Sequence, residues 1–239
     1  MGKERSIILL TYWVNCVIIS LIDEYNILRG ENVMKLYDYL LNEFGYNEPF
    51  FSSEVEFKNY SKPWIYKELS KLCSENKIIK FEKGVYYVPK QTILGISTIN
   101  PARVIERKYI RSDKNVFGYY SGQTILNRIG LSTQMPNITE IYTNNEAAKV
   151  RDINVGKQRV RLRRSRINIT EDNVATLCFL EIMNLLSGSD VGEQGRAILS
   201  RYIKENNIKR KDITAYAPMF PDRAMRAMIE SEVIYSVTQ

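Results

Sequence analysis

At 239 residues, with 44% hydrophobic and 26% charged side chains, the chain can bury a core of its own and suits one large domain or two ordinary ones. Its formal net charge of +7 favours a polyanionic partner. It contains no histidine, which excludes Ser-His-Asp and Cys-His nucleophilic catalysis, H-E-x-x-H metal chemistry and histidine acid/base work.

The chain opens on an apolar run, Ile7 to Ile22, preceded by Lys3 and Arg5. A membrane anchor needs about eighteen to twenty such residues; this run is shorter and carries Thr11, Asn15 and Ser20. No small-x-small cleavage site follows, and Met1-Gly2 with Ser6 matches only the loose myristoylation pattern. Arg29-Gly30-Glu31 can be encoded AGA-GGA-GAA, a purine-rich ribosome-binding sequence just upstream of Met34. Residues 1–33 are therefore read as an apolar leader ahead of a true start at Met34, with a packed N-terminal helix as the alternative.

Residues 34–92 read as three helices and a hairpin. Leu36, Tyr37, Leu40, Leu41 and Phe44 form a helical stripe that Gly45 ends. Ser53-x-x-Glu56 is a capping box for a short second helix with Val55 and Phe57. A third helix follows Ser61, an N-cap candidate, and Pro63, with Ile65, Leu69 and Leu72 as its apolar stripe. Ile78 to Phe81 and Val85 to Val88 flank a Lys83-Gly84 turn, and Pro89 stops the second run. This order is that of a winged helix-turn-helix, a module that reads double-stranded DNA. Its DNA-facing residues are expected to be Ser61, Lys62, Tyr66, Lys67, Ser70 and Lys71 on the third helix, with Lys80 and Lys83 on the hairpin; Trp64 and Tyr87 are expected to pack the domain.

Thr92 to Pro101 is the expected connector, and residues 93–239 form a second, α+β domain with a small antiparallel sheet. Pro101 to Ile110 and the stretch after Tyr120-Ser121-Gly122 read as helices, the latter with Ile125, Leu126 and Ile129 and stopped by Gly130. Ile138 to Thr143 is a strand, and Asp152 to Val155 with Arg159 to Arg164 form a hairpin around Gly156-Lys157. Thr170 is placed as the cap of a helix with an acidic first turn, Glu171-Asp172, apolar almost all round from Val174 to Leu186. Asp190-x-x-Glu193 and Pro221 open two more. The fold class is thus mixed α/β (α+β), mainly helical.

Charge is uneven. Residues 34–92 hold nine lysines and no arginine against eight acids, whereas residues 93–239 hold 22 basic and 15 acidic residues. Lys149, Arg151, Lys157, Arg159, Arg161, Arg163, Arg164 and Arg166 crowd one span against Asp152 alone. In a strand, Arg159, Arg161 and Arg163 share a face opposite Val160 and Leu162, a ladder suited to phosphates or an acidic surface; a solvated face with scattered acid partners is the plainer reading. Cys16, Cys73 and Cys178 lie far apart without C-x-x-C spacing, so neither a disulfide framework nor a metal site is expected, and a reducing cytoplasm fits. Gly188-Ser189-Asp190 lacks the aspartate pair of nucleotidyl transfer, and Gly192-x-x-Gly195 follows no strand. No catalytic residues, no cofactor, no metal and no membrane partner are expected.

Met34 to Pro49, Ser61 to Pro89, Gly118 to Asn145 and the Val160-Arg161-Leu162-Arg163-Arg164 strand resemble the AbiEi-type antitoxins of bacterial abortive-infection systems. The resemblance covers about Met34 to Leu186 and is most specific in Ser121-Gly122, in Gly130 to Pro136 (GLSTQMP) and in Thr143-Asn144-Asn145. It implies a phage-defence protein of two parts. The winged helix would bind inverted repeats in its own promoter and act as transcriptional repressor of a bicistronic toxin-antitoxin operon. The second domain would counter a nucleotidyltransferase toxin without forming a stable complex, the type IV arrangement, through a positively charged surface. The alternative is an RNA-binding or RNA-protecting protein using the Arg159 to Arg166 strand, with the winged helix only structural.

Overall fold

The computed structural model describes residues 35–113, 115–186 and 191–237. Residues 1–33, read as a leader, and Asp190, expected to open a helix with Glu193, lie outside those residues. The protein is mixed α/β and divides into two compact units, residues 1–98 and 99–239.

In the first unit, helix α1 (Leu36–Phe44) ends at Gly45, whose φ of 80° suits glycine and whose N–H donates to the Leu41 carbonyl. Strand β1 (Phe50–Phe51), helix α2 (Lys62–Ser74) and strands β2 (Ile79–Glu82) and β3 (Val85–Tyr87) follow. The three strands form an antiparallel sheet in the order β1-β3-β2. Leu40, Phe50, Ile65, Leu69, Ile78 and Val88 make the core between sheet and helices. The expected connector folds back as a small hairpin, β4 (Gln91–Thr92) and β5 (Gly95–Ile96), with Ile93 and Leu94 fully exposed at its tip.

The second helix expected at Ser53-x-x-Glu56 is absent: residues 52–61 run as turns and loop. Val55 and Phe57 are buried as the pattern requires, but the polar backbone is satisfied differently. Lys62 Nζ donates to the carbonyls of Ser53 and Val55 at 2.8 and 2.9 Å, and the Phe51 N–H donates to Glu54. Tyr60 stacks on Phe57 and, with 3.9 Å between ring centroids, on Trp64. A partly buried aromatic stack and a lysine thus take the place of a helical turn. Ser61 occupies the N-cap position of α2 without a side-chain hydrogen bond.

In the second unit, helix α3 (Pro101–Tyr109) starts at Asn100, whose side chain accepts from the Ala102 N–H at 2.9 Å. Strand β6 (Gly118–Ser121), helix α4 (Gly122–Arg128) and strands β7 (Thr139–Thr143), β8 (Val150–Val155) and β9 (Gln158–Arg164) come next. The sheet order is β6-β7-β9-β8. The sheet is mixed rather than antiparallel as expected. The β8–β9 hairpin places β8 on the outer edge and returns β9 beside β7, parallel to it, from Thr139↔Val160 to Thr143↔Arg164. Strand β6 escaped the sequence pattern altogether.

Helix α5 (Val174–Leu185) is the buried centre, with Leu177, Phe179, Leu180, Ile182 and Met183 wholly enclosed. It begins at Val174, not at Thr170, so Glu171 and Asp172 are not its first turn. The Asn173 side chain accepts from the Thr170 N–H and donates to the Asn168 carbonyl, both at 2.9 Å, locking those residues into a turn that outcompetes the helix. Helices α6 (Glu193–Glu205), α7 (Arg210–Tyr216) and α8 (Asp222–Glu230) complete the core, α8 starting after Pro221 as expected. Burial pushes the Cys178 thiol up to about 12, so it packs as a protonated, apolar group. Among the described residues no helix is long and apolar enough to cross a membrane.

Gly118 is where β6 meets the end of α3, and a Cβ there would overlap the Tyr109 carbonyl oxygen. Because the obstacle is backbone, Gly118→Ala should destabilise the chain by about 2 kcal/mol or more. A urea midpoint equal to that of the native chain would show that the α3–β6 corner can relax.

Candidate functional site

Helix α2 buries Ile65, Leu69 and Leu72 and turns its remaining surface outward. All eight residues expected to face DNA, Ser61, Lys62, Tyr66, Lys67, Ser70, Lys71, Lys80 and Lys83, are exposed. They are not equally available. The Lys62 ammonium is committed to the loop carbonyls described above, and Lys71 lies 3.5 Å from Glu68 one turn back. Trp64 belongs to the aromatic stack and Tyr87 is buried. Both pack the unit.

In the second unit, alternation along β9 buries Val160 and Leu162 and puts Arg159, Arg161 and Arg163 on the other face. Lateral pairing extends that face across the sheet: Arg161 lies beside Glu140 and Asp152, and Arg163 beside Tyr142 and Val150. Two of the three arginines meet carboxylates. Arg161 donates twice to Asp152, at 2.8 Å each, and holds that carboxyl below the usual range. Arg163 donates to Glu140 at 2.9 Å. Glu140 in turn packs against Gly122, where a side chain would collide with its carboxylate and φ is +58°.

The other five basic residues do not join that face. Arg151 and Arg164 alternate to the opposite one, where Arg151 Nη2 lies 2.8 Å from Glu146 Oε2, an ion pair by distance without hydrogen-bond geometry. Lys157 sits in the β8–β9 turn, while Lys149 and Arg166 lie just beyond strand ends. Among the described residues, Lys149, Lys157, Arg159, Arg164 and Arg166 form no ion pair and all are exposed. No group of acidic, cysteine and histidine side chains that could hold a metal ion occurs among the described residues.

One polar cluster gave only a faint sequence signal. Ser121, at the end of β6, donates to Glu181 of α5 at 2.6 Å, and Asn184 donates to the second carboxylate oxygen at 3.4 Å. Burial raises the Glu181 carboxyl, outweighing these hydrogen bonds and the positive field of Arg163, and the nearby Glu140 raises it further. Tyr119 and Tyr142 lie beside it with ring centroids 5.5 Å apart, and burial pushes both phenols up. A glutamate inside an otherwise apolar helix was the only hint available.

A family model described as "Family of unknown function (DUF6088)" matches residues 50–210, more than half of the chain and parts of both units. No curated protein matches it.

Because the Glu181 carboxyl is raised, the folded chain holds that proton more tightly than the unfolded chain. Its stabilising contribution is full below the ordinary carboxylate value and is lost as pH rises through the raised one. The stability difference between the native chain and Glu181→Gln should therefore shift towards the variant as pH is raised from the ordinary carboxylate range of about 4. Urea midpoints that keep a constant separation over that rise would show that burial does not perturb this carboxyl.

Proposed function

The chain belongs to that family, and we propose that it is a DNA-binding transcriptional autorepressor and antitoxin of a bacterial type IV abortive-infection operon, countering a nucleotidyltransferase toxin. The observation that carries the DNA-binding half is the outward face of α2 beside a basic hairpin. The helix is anchored by Ile65, Leu69 and Leu72, so Lys67, Ser70 and Lys71 are left outward, and Lys80 and Lys83 extend the positive surface on β2 and its turn. A rigid helix with a polar outer face and a neighbouring cationic hairpin suits a major groove flanked by phosphates. The unit is read as a winged helix-turn-helix whose middle helix is replaced by the loop at residues 52–61, and the AbiEi-type resemblance supplies the operon context.

The antitoxin half rests on the arginine face of β9. Guanidinium forks bind phosphate or carboxylate bidentately. Arg159 has no ion-pair partner among the described residues, whereas Arg161 and Arg163 would exchange exposed or half-buried carboxylates for an incoming anion. That same face favours a second reading, RNA binding or protection, with the α2 unit only structural.

Replacing Lys67 and Lys71 together with alanine should weaken binding to the operon's own promoter duplex and lower the slope of log affinity against log salt by about two. Unchanged affinity in a fluorescence-anisotropy titration would discard this docking of α2. Replacing Arg159, Arg161 and Arg163 with alanine should leave promoter affinity within about threefold while impairing rescue from the co-expressed toxin. Lost promoter binding with intact rescue would transfer the nucleic-acid role to the β9 face.

A further inference from the structure

The face of the sheet that carries the arginines is only partly covered. Tyr119, Tyr142 and Arg163 are laterally paired, as are Ser121, Glu140 and Arg161, so all six residues share that face. Helix α5 packs over the β6 end, where Ser121 meets Glu181, and leaves the β9 end open. Between the two lies a cavity of about 280 Å³. Its lining takes Tyr142 from β7 and Ser165, Arg166 and Ile167 from just past β9, near the carboxyl ends of that parallel pair, where open α/β sheets place their ligands.

Its lining is chemically divided. Tyr142 and Phe220 supply aromatic wall; Glu181 and Asn184 supply a polar wall; Arg166 and Arg223 supply exposed cations. The polar wall is held in place by a chain of hydrogen bonds. Arg223 Nε donates to Asn184 Oδ1 at 2.7 Å, Asn184 donates to Glu181, and Ser121 donates to Glu181 from the other side. Each Glu181 oxygen thus accepts one hydrogen bond and keeps acceptor capacity, which suits a ligand edge with two adjacent donors. The aromatic wall calls for a planar ring. Arg223 keeps its two terminal NH₂ groups after the bond to Asn184, and Arg166 has no ion pair among the described residues, so the ligand's far end should be anionic. The volume, near the small end for ligand pockets, admits one ring system with its anionic group left at the mouth.

We propose that this cavity binds one guanine nucleotide, the N1–H and N2–H₂ edge on Glu181, the ring against Tyr142 and Phe220, and the phosphate on Arg166 and Arg223. The carboxylate wall repels phosphate, which fixes the ligand's direction. The same chemistry is offered by a free nucleotide or by an unpaired guanosine in a strand. The site is independent of DNA binding by α2.

Calorimetric titration of the full chain tests it, with GMP, AMP, CMP, UMP and inorganic phosphate as probes at up to about 1 mM. GMP should bind saturably and at least about tenfold more tightly than the other four. Arg166→Ala, a change on an exposed side chain, should weaken GMP about tenfold while leaving guanosine unaffected. Glu181→Gln should erase the preference for guanine. A single-stranded oligonucleotide with one guanine that outcompetes GMP would assign the strand as the source, and one that does not would assign the free nucleotide. No saturable binding by any probe would overturn the proposal, as would phosphate matching GMP or Arg166→Ala leaving GMP affinity unchanged.

Discussion

Strand β9 is hydrogen-bonded along both edges, parallel to β7 and antiparallel to β8, and that double pairing governs the second unit. A strand fixed on both sides cannot slip its register by one residue without exchanging its two faces. Val160 and Leu162, both wholly buried, settle which face is inside. Arg159, Arg161 and Arg163 are consequently held in a row, roughly two residues' rise apart, on a surface that cannot rearrange to separate them. Their mutual repulsion is built into the packing of the other face.

The carboxylates beside this row explain how the repulsion is tolerated. Asp152 and Glu140 reach Arg161 and Arg163 from the flanking strands. Exposed pairs of this kind contribute little to stability because solvent screens them and the side chains lose entropy, so their main effect is to set geometry. Glu140 is itself positioned by the space that Gly122 leaves. The turn into α4 thereby constrains a side chain on β7, which orients an arginine on β9.

What the sequence disclosed follows the range of its signals. Period-3.6 stripes placed α1, α2 and α5, and the Lys83-Gly84 and Gly156-Lys157 turns placed both hairpins, because those patterns are local. The capping box at Ser53-x-x-Glu56 misled because Val55 and Phe57 are buried whether or not the backbone is helical; the deciding contact, Lys62 on the loop carbonyls, joins residues that no helical period relates. Thr170 misled for a similar reason, since Asn173 folds its side chain back into a turn. Alternation revealed the arginine row but not the parallel β7–β9 pairing, whose register depends on where β8 lies. The cavity was illegible: Tyr142, Arg166, Glu181 and Arg223 span three elements and one loop, and each alone reads as core or solvated surface.

The arginine face and the Glu181 cavity share the field of one guanidinium. Arg163 is bonded to Glu140 and lowers the Glu181 carboxyl through its field, while Glu140 raises it. An anion seated on Arg163 would compensate that guanidinium and add its own negative field. The Glu181 proton would then be held more tightly. A protonated carboxyl offers one hydrogen as donor and no longer presents two acceptors, so it suits a donor-rich edge less well. Occupation of the face by a polyanion should therefore weaken the cavity's hold on such a ligand, and by linkage the ligand should weaken the polyanion equally. Such an effect would require no moving part, because Arg163 touches one acid and its field reaches the other.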